Sequence, residues 1–165
     1  MILSIRKFEY EELKSQLQPE DAVVVLSCNN CAKKCVGLGG RAGLKALSDK
    51  LEGDGFTVVR ELVGIGCSVD LVRKRGKEPA TAQAFADADV LIPLACEDGE
   101  AAAAWAFPDK RLIRVTKTLG CGWGSPTAGV HLSEVIDGVE LDCPAPMGIT
   151  LQEAAAQLGL PYGAF

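Results

Sequence analysis

Apolar residues fall along this chain in short unbroken runs, and the stretches between the runs carry apolar residues at helical spacing. Ala22 to Ser27 is almost wholly apolar and predicts a first, buried strand. Phe56 to Val63 predicts a second and Asp89 to Ala95 a third. Arg111 to Val115, where apolar and basic residues alternate, predicts a fourth. Pro93 removes one ladder donor from the third run, which places it at a sheet edge or a strand end. Between the runs, Phe8, Leu13 and Leu17 predict a surface helix over Lys7 to Gln18, stopped before Pro19. Leu44, Leu47 and Leu51 predict a helix of about three turns that Gly53 and Gly55 end. Shorter helices are expected over Val69 to Lys74, Ala80 to Ala86 and Ala101 to Phe107.

Strands alternating with helices imply crossovers and a parallel sheet. The expected fold is α/β, a small, mostly parallel, doubly wound sheet of about four strands of the flavodoxin or Rossmann kind. The tail reads differently. Gly120 to Pro126 is rich in turn residues, Val135 to Leu141 carries Asp137-Gly138 between apolar residues as a hairpin signal, and Thr150-Leu-Gln-Glu153 is a capping box opening a helix to Leu158. Residues 1–165 form one domain in this reading, with 125–165 as a possible small appendage.

Composition narrows the class. At 165 residues the chain can bury a sizeable core without staples. No apolar run approaches the ~20 residues of a membrane span, and Met1 to Arg6 is too short for a secretory signal, so a cytoplasmic protein is expected. A formal charge of −5 argues against nucleic acid as partner. Arg73-Lys-Arg75 with Lys77 is the one basic cluster, and without interleaved aromatic residues it reads as a solvated helix end.

The chemistry lies in the cysteines. Cys28-Asn-Asn-Cys31-Ala-Lys-Lys-Cys35 follows the first strand directly, and such a loop can turn three sulfurs toward one centre. Cys67, after the second strand, is the best fourth ligand. Cys96 and Cys121 follow the third and fourth strands, and in a parallel sheet all these strand ends share the edge where ligands bind. Cys143 reads as a small core residue. Three bunched ligands and one remote one suit a [4Fe–4S] cluster better than zinc, whose four cysteines commonly come as two separated pairs. Zinc on the same four cysteines remains the alternative, and a Cys28–Cys31 dithiol is a third reading. Lys33, Lys34 and the amides of Gly37, Gly39, Gly40 and Gly66 are candidates to offset the negative charge of a cluster.

Other motifs carry less. Gly37-Leu-Gly39-Gly-Arg-Ala42 matches a dinucleotide fingerprint with Glu61 in the acidic place, but the cysteine loop separates it from the strand. The glycines read instead as room for a cluster or for a close helix approach. His131, the only histidine, has no catalytic partners in its neighbourhood of sequence and reads as a surface or capping residue. Glu97, Asp98 and Glu100 suit the start of a helix. Trp105, Phe107 and Trp123 fall near the expected ligand edge, and at least one is expected on a partner surface. The clustered thiols, with no acid, base and nucleophile set beside them, point to a non-catalytic electron-transfer or docking subunit whose partner supplies the chemistry.

Several of these residues in order resemble a known family. They are Arg6-Lys7-Phe8 with a Glu-Glu-Leu helix, Cys28-x-x-Cys31-x-x-x-Cys35 followed by Gly39-Gly40, Gly66-Cys67-Ser-Val-Asp70, Ala95-Cys96, and Pro108-Asp-Lys110 leading to Thr116-Lys117-Thr-Leu-Gly120. Over roughly Met1 to Gly124 the chain resembles the methylenetetrahydrofolate reductase C-terminal-like family, the small iron–sulfur subunit of acetogen-type reductases. The resemblance implies a [4Fe–4S] protein of anaerobic one-carbon metabolism, a subunit of an oxidoreductase complex. Its partner would be a flavin-dependent reductase or a corrinoid methyl-transfer protein. Cys28, Cys31, Cys35 and Cys67 would be the ligands, with Cys96 near the same site. The family continues into a second cysteine-rich segment, whereas this chain has only Cys121 and Cys143 beyond Cys96.

Overall fold

The computed structural model describes residues 1–165, and its strands divide between two four-stranded sheets. In chain order the elements begin with β1 (Ile2–Arg6), α1 (Tyr10–Lys14), β2 (Ala22–Cys28), α2 (Cys31–Lys34), α3 (Gly40–Gly53) and β3 (Thr57–Ile65). Next come α4 (Val69–Gly76), α5 (Ala82–Asp87), β4 (Val90–Leu94), α6 (Glu97–Ala106) and β5 (Arg111–Leu112). The chain ends with β6 (Thr116–Ser125), β7 (Gly129–Val135), β8 (Ile149–Thr150) and α7 (Leu151–Leu158).

One sheet is parallel, in the order β3-β2-β4-β5. The run Val23 to Leu26 is wholly buried because β2 has neighbours on both sides and helices on both faces. Val24 and Leu26 pack with Val72, Phe85 and Ala103 from α4, α5 and α6, whereas Val23 and Val25 pack with Leu44, Leu47 and Leu51 of α3 and with Leu13 of α1. Each fully buried Leu or Val contributes roughly 1.5–3 kcal/mol. Pro93 is tolerated for the expected reason. The Leu91 carbonyl accepts from Ile113 at 3.0 Å, but β5 ends before it could serve Pro93, which therefore sits on a local edge.

The other sheet is antiparallel, in the order β1-β6-β7-β8, and it corrects the reading of both chain ends. Ile2 to Arg6, outside the expected elements, is an edge strand paired with β6, with Ile2 opposite Cys121 and Arg6 opposite Thr116. The N-terminal helix shrinks to Tyr10–Lys14. Gly120 to Gly124, expected as a turn, lies inside β6. A Cβ on Gly122 would stand 2.0 Å from the His131 carbonyl oxygen, so these glycines let the two backbones approach closely. The hairpin turn falls at Pro126 to Ala128, earlier than Asp137-Gly138, which only ends β7. The second sheet thus begins at Thr116 and recruits the N-terminus, and a boundary at 125 would cut its hairpin at the turn. The final helix forms as expected, with the Thr150–Glu153 capping box complete and Gly159 left-handed at φ 63°. No helix is long and apolar enough to cross a membrane.

Candidate metal centre

Cys28 is the last residue of β2, Cys31 opens α2 and Cys35 caps its end. The chain then reverses through Val36 at φ 40° and Gly37 at φ 80°. A β-branched residue in that region costs on the order of 1–3 kcal/mol, so the surroundings must hold it there. The glycines that follow supply close packing. A Cβ on Gly43 would lie 2.2 Å from the Gly37 carbonyl oxygen, and one on Gly39 would lie 3.0 Å from the Cys28 carbonyl oxygen. The first turn of α3 is therefore pressed against the cysteine loop, which is the close helix approach expected of this glycine run.

The sulfurs meet backbone amides. The Asn30 N–H donates to Cys28 Sγ at 3.4 Å, and the Ser4 N–H donates to Cys35 Sγ at 3.4 Å. Because β1 is an edge strand, the Ser4 amide has no strand partner on that side, and the sulfur takes its place. The Cys35 thiol in turn donates to the Cys31 carbonyl at 3.4 Å. Burial pushes this thiol up to about 11; the Ser4 amide opposes the rise, and the charges of Cys31, Cys96 and Cys28 add to it. Cys96, at the N-cap of α6, is also raised, first by burial, with the Gly99 amide opposing and Asp98, Cys28 and Cys67 adding. These five cysteines thus stand in overlapping fields at the carboxyl edge of the parallel sheet.

They do not all stand alike. Cys28, Cys35 and Cys96 are buried, Cys31 is half-buried and Cys67 is exposed. All seven thiols are free. Cys121 corrects the expectation that it follows a parallel strand: β5 is only two residues long, and the chain then passes into β6, where Cys121 pairs with Ile2 and Glu134. Cys143 donates to the Leu132 carbonyl at 3.1 Å and, half-buried, packs against the core of the second sheet instead of lying within it.

No three His, Cys, Asp or Glu side chains meet closely enough to hold one metal ion. Tetrahedral zinc, with its Zn–S bonds, needs sulfurs about 3.8 Å apart. A cubane places a separate iron behind each thiolate and accepts a wider ring. The donor set fits the cubane in its chemistry: thiols raised first by burial and then by one another's charge gain from a cationic core, and the amides of Ser4 and Asn30 already face the sulfurs.

Glu100 is a finding that sequence reasoning missed. Its side chain does not serve the helix start in solvent but is fully buried between α6 and β6. Oε1 accepts from the Thr116 N–H at 3.0 Å. Thr116 Oγ1 lies 2.5 Å from the Ala95 carbonyl oxygen and 2.9 Å from Glu100 Oε1, with one hydrogen for both; a proton on Glu100 supplies the second. Burial pushes this carboxyl up, against the Thr116 contacts. The folded chain therefore keeps the proton to higher pH than the unfolded chain, whose carboxyl titrates near its usual ~4.3. Stability from this group is complete below that pH and is lost as pH rises through the folded value. Glu100→Gln keeps the shape and removes the dependence. Urea unfolding from pH 4 to 8 should show the wild type losing stability relative to the variant, and parallel profiles would refute a neutral Glu100.

The remaining expectations sort by burial. Trp105 is 73% exposed, whereas Phe107 stacks on Phe85 with ring centres 4.6 Å apart. Trp105 is also nine residues along α6 from Cys96, about 13 Å away, so it lies far from the ligand edge. Trp123 stacks on His131 at 4.7 Å, and His131 Nε2 contacts the Ala128 carbonyl at 2.8 Å, a structural role at the hairpin turn. Arg73 and Arg75 pair with Asp70 and Glu78 at the end of α4, as a solvated helix end does. Lys33 and Lys34 are exposed, and the amides found on sulfur are those of Ser4, Asn30 and Gly99 rather than those of Gly37, Gly39, Gly40 and Gly66. Beside Lys33, a cleft of about 520 Å³ opens over Asn29, Gly40 and Arg41. No protein-family model matches the chain, and no curated protein or solved structure is found to match it.

Proposed function

We propose that this chain carries one [4Fe–4S] cluster and serves as an electron-transfer or docking subunit for a redox partner. The observation that carries the reading is the set of cysteine thiols at the carboxyl edge of β2, each within the field of others, with Ser4 and Asn30 amides donating to Cys35 and Cys28. Cys28, Cys31 and Cys35 form one side, and Cys67 is the fourth ligand of the sequence reading. A bound cluster supplies one-electron chemistry. The protein's part is to bury the sulfurs, orient them by N–H donation and offset their charge. The parallel strand order and the helices on both faces support a doubly wound, flavodoxin-like sheet, whose carboxyl edge is the usual ligand edge. Seven free thiols suit a reducing compartment such as the cytoplasm.

The resemblance described above makes a flavin-dependent reductase or a methyl-transfer protein of anaerobic one-carbon metabolism the proposed partner. Of Trp105, Phe107 and Trp123, Trp105 is the exposed one and the candidate for docking. Trp105→Ala should leave thermal stability within about 0.5 kcal/mol, as for an exposed residue, and a loss above about 1 kcal/mol would assign the ring to packing.

Iron, zinc and acid-labile sulfide per chain, measured on protein purified without oxygen, test the proposal. About four irons and four sulfides are expected. One zinc without sulfide would replace the reading with a zinc-stabilised interaction module.

A further inference from the structure

Resting on the iron–sulfur reading, we propose that Cys96, not Cys67, is the fourth ligand, and that Cys67 stays outside the cluster as a solvent-facing thiol. Topology is the first argument. From β2 the chain crosses to β3 on one side and then returns to β4 on the other, so the strand order reverses between β2 and β4. Open α/β sheets bind ligands in the crevice at such a reversal. Cys28 ends β2 at this crevice and Cys96 follows β4 at its other lip, whereas Cys67 lies beyond β3 on the far side of β2.

Register agrees. Ser27 pairs with Leu94, which sets Ala95 level with Cys28 and Cys96 one residue beyond. Cys28 pairs with Ile65, which sets Cys67 two residues beyond. A chain of contacts also ties Cys96 to the far end of the cysteine triplet. The Ser4 N–H donates to Cys35 Sγ at 3.4 Å, Ser4 Oγ meets Thr118 Oγ1 at 3.2 Å, and Thr118 Oγ1 accepts from the N–H of Glu97 at 3.0 Å. Glu97 is the residue after Cys96. The second sheet therefore clamps Cys35 and the start of α6 to one another, and no such link reaches Cys67.

Environment separates the two cysteines further. Cys96 is 8% exposed, whereas Cys67 is an exposed residue. Cys96 also occupies the N-cap of a ten-residue helix, where the aligned amides favour a thiolate.

The experiment uses the full chain, loaded with iron and sulfide without oxygen, and has two readouts. In the wild type, Cys67 should be alkylated by iodoacetamide at the same rate before and after loading, as read by mass spectrometry. Protection of Cys67 on loading would overturn the proposal. Among variants, Cys67→Ser should keep the iron and sulfide of the wild type, and Cys96→Ser should hold less than half. The reverse pattern would restore Cys67 as ligand while leaving the iron–sulfur reading intact. A wild type that takes up no sulfide would overturn both. The Cys67 labelling rate needs no variant, so a misfolded Cys96→Ser does not rescue the idea.

Discussion

Serine in place of Cys28 should strip most of the iron and acid-labile sulfide from protein purified without oxygen, and the chain should remain folded. Cys28 is the hub of the thiol group: its charge acts on both Cys35 and Cys96, and it ends the strand whose neighbours lead to Cys67 and Cys96. Serine offers iron a harder oxygen with a far higher pKa, a poor substitute for a thiolate. The fold should lose only about 1 kcal/mol, because a hydroxyl still accepts from the Asn30 amide and the strand contacts are unchanged. Cys143→Ser is the control. Its sulfur sits under the second sheet against the Leu132 carbonyl, and iron content should not change. Equal iron in the Cys28 variant and the wild type would end the case for this site.

The largest effect on stability is expected at Gly122. A valine there would place its Cβ 2.0 Å from the His131 carbonyl oxygen and 2.5 Å from Leu3 Cδ1. Neither can move alone, since His131 pairs with Trp123 in the ladder and Leu3 is a wholly buried member of the second core. β6 and β7 would have to separate, at a cost of about 3 kcal/mol or more. Because β1 pairs with β6, the Ser4 amide would shift with it, and retention of iron should suffer as well. Gly53→Ala is the comparison, since a Cβ there meets nothing within 4 Å and alanine is the better helix former. Chemical denaturation of the two variants should give opposite shifts of the midpoint. A Gly122→Val protein as stable as the wild type would mean that this hairpin is not packed as described.

These glycines show why part of the molecule was legible early and part was not. Gly120, Gly122 and Gly124 look alike whether they make a turn or let two strands touch, and only the partner strand distinguishes the cases. Asp137-Gly138 is a sound turn signal and does form a turn, but the hairpin closes earlier because Pro126 to Ala128 make the reversal and Trp123 stacks on His131 across the ladder. Glu100 has the residue type and position of an ordinary helix-start carboxylate. Its burial follows from Thr116, which arrives from another sheet.

What the sequence determined by itself is local in origin. The buried run of β2, the leucine spacing of α3 and the capping box of α7 are each set by neighbours within a few residues, and each forms where expected. Tertiary structure alone decided which distant groups surround the thiols. Ser4 reaches Cys35 across 31 residues and Thr118 across 114. Cys121 leaves the ligand edge because its strand joins the N-terminus. Such contacts arise only when two sheets pack, because no local spacing encodes a partner that the chain brings from its other end.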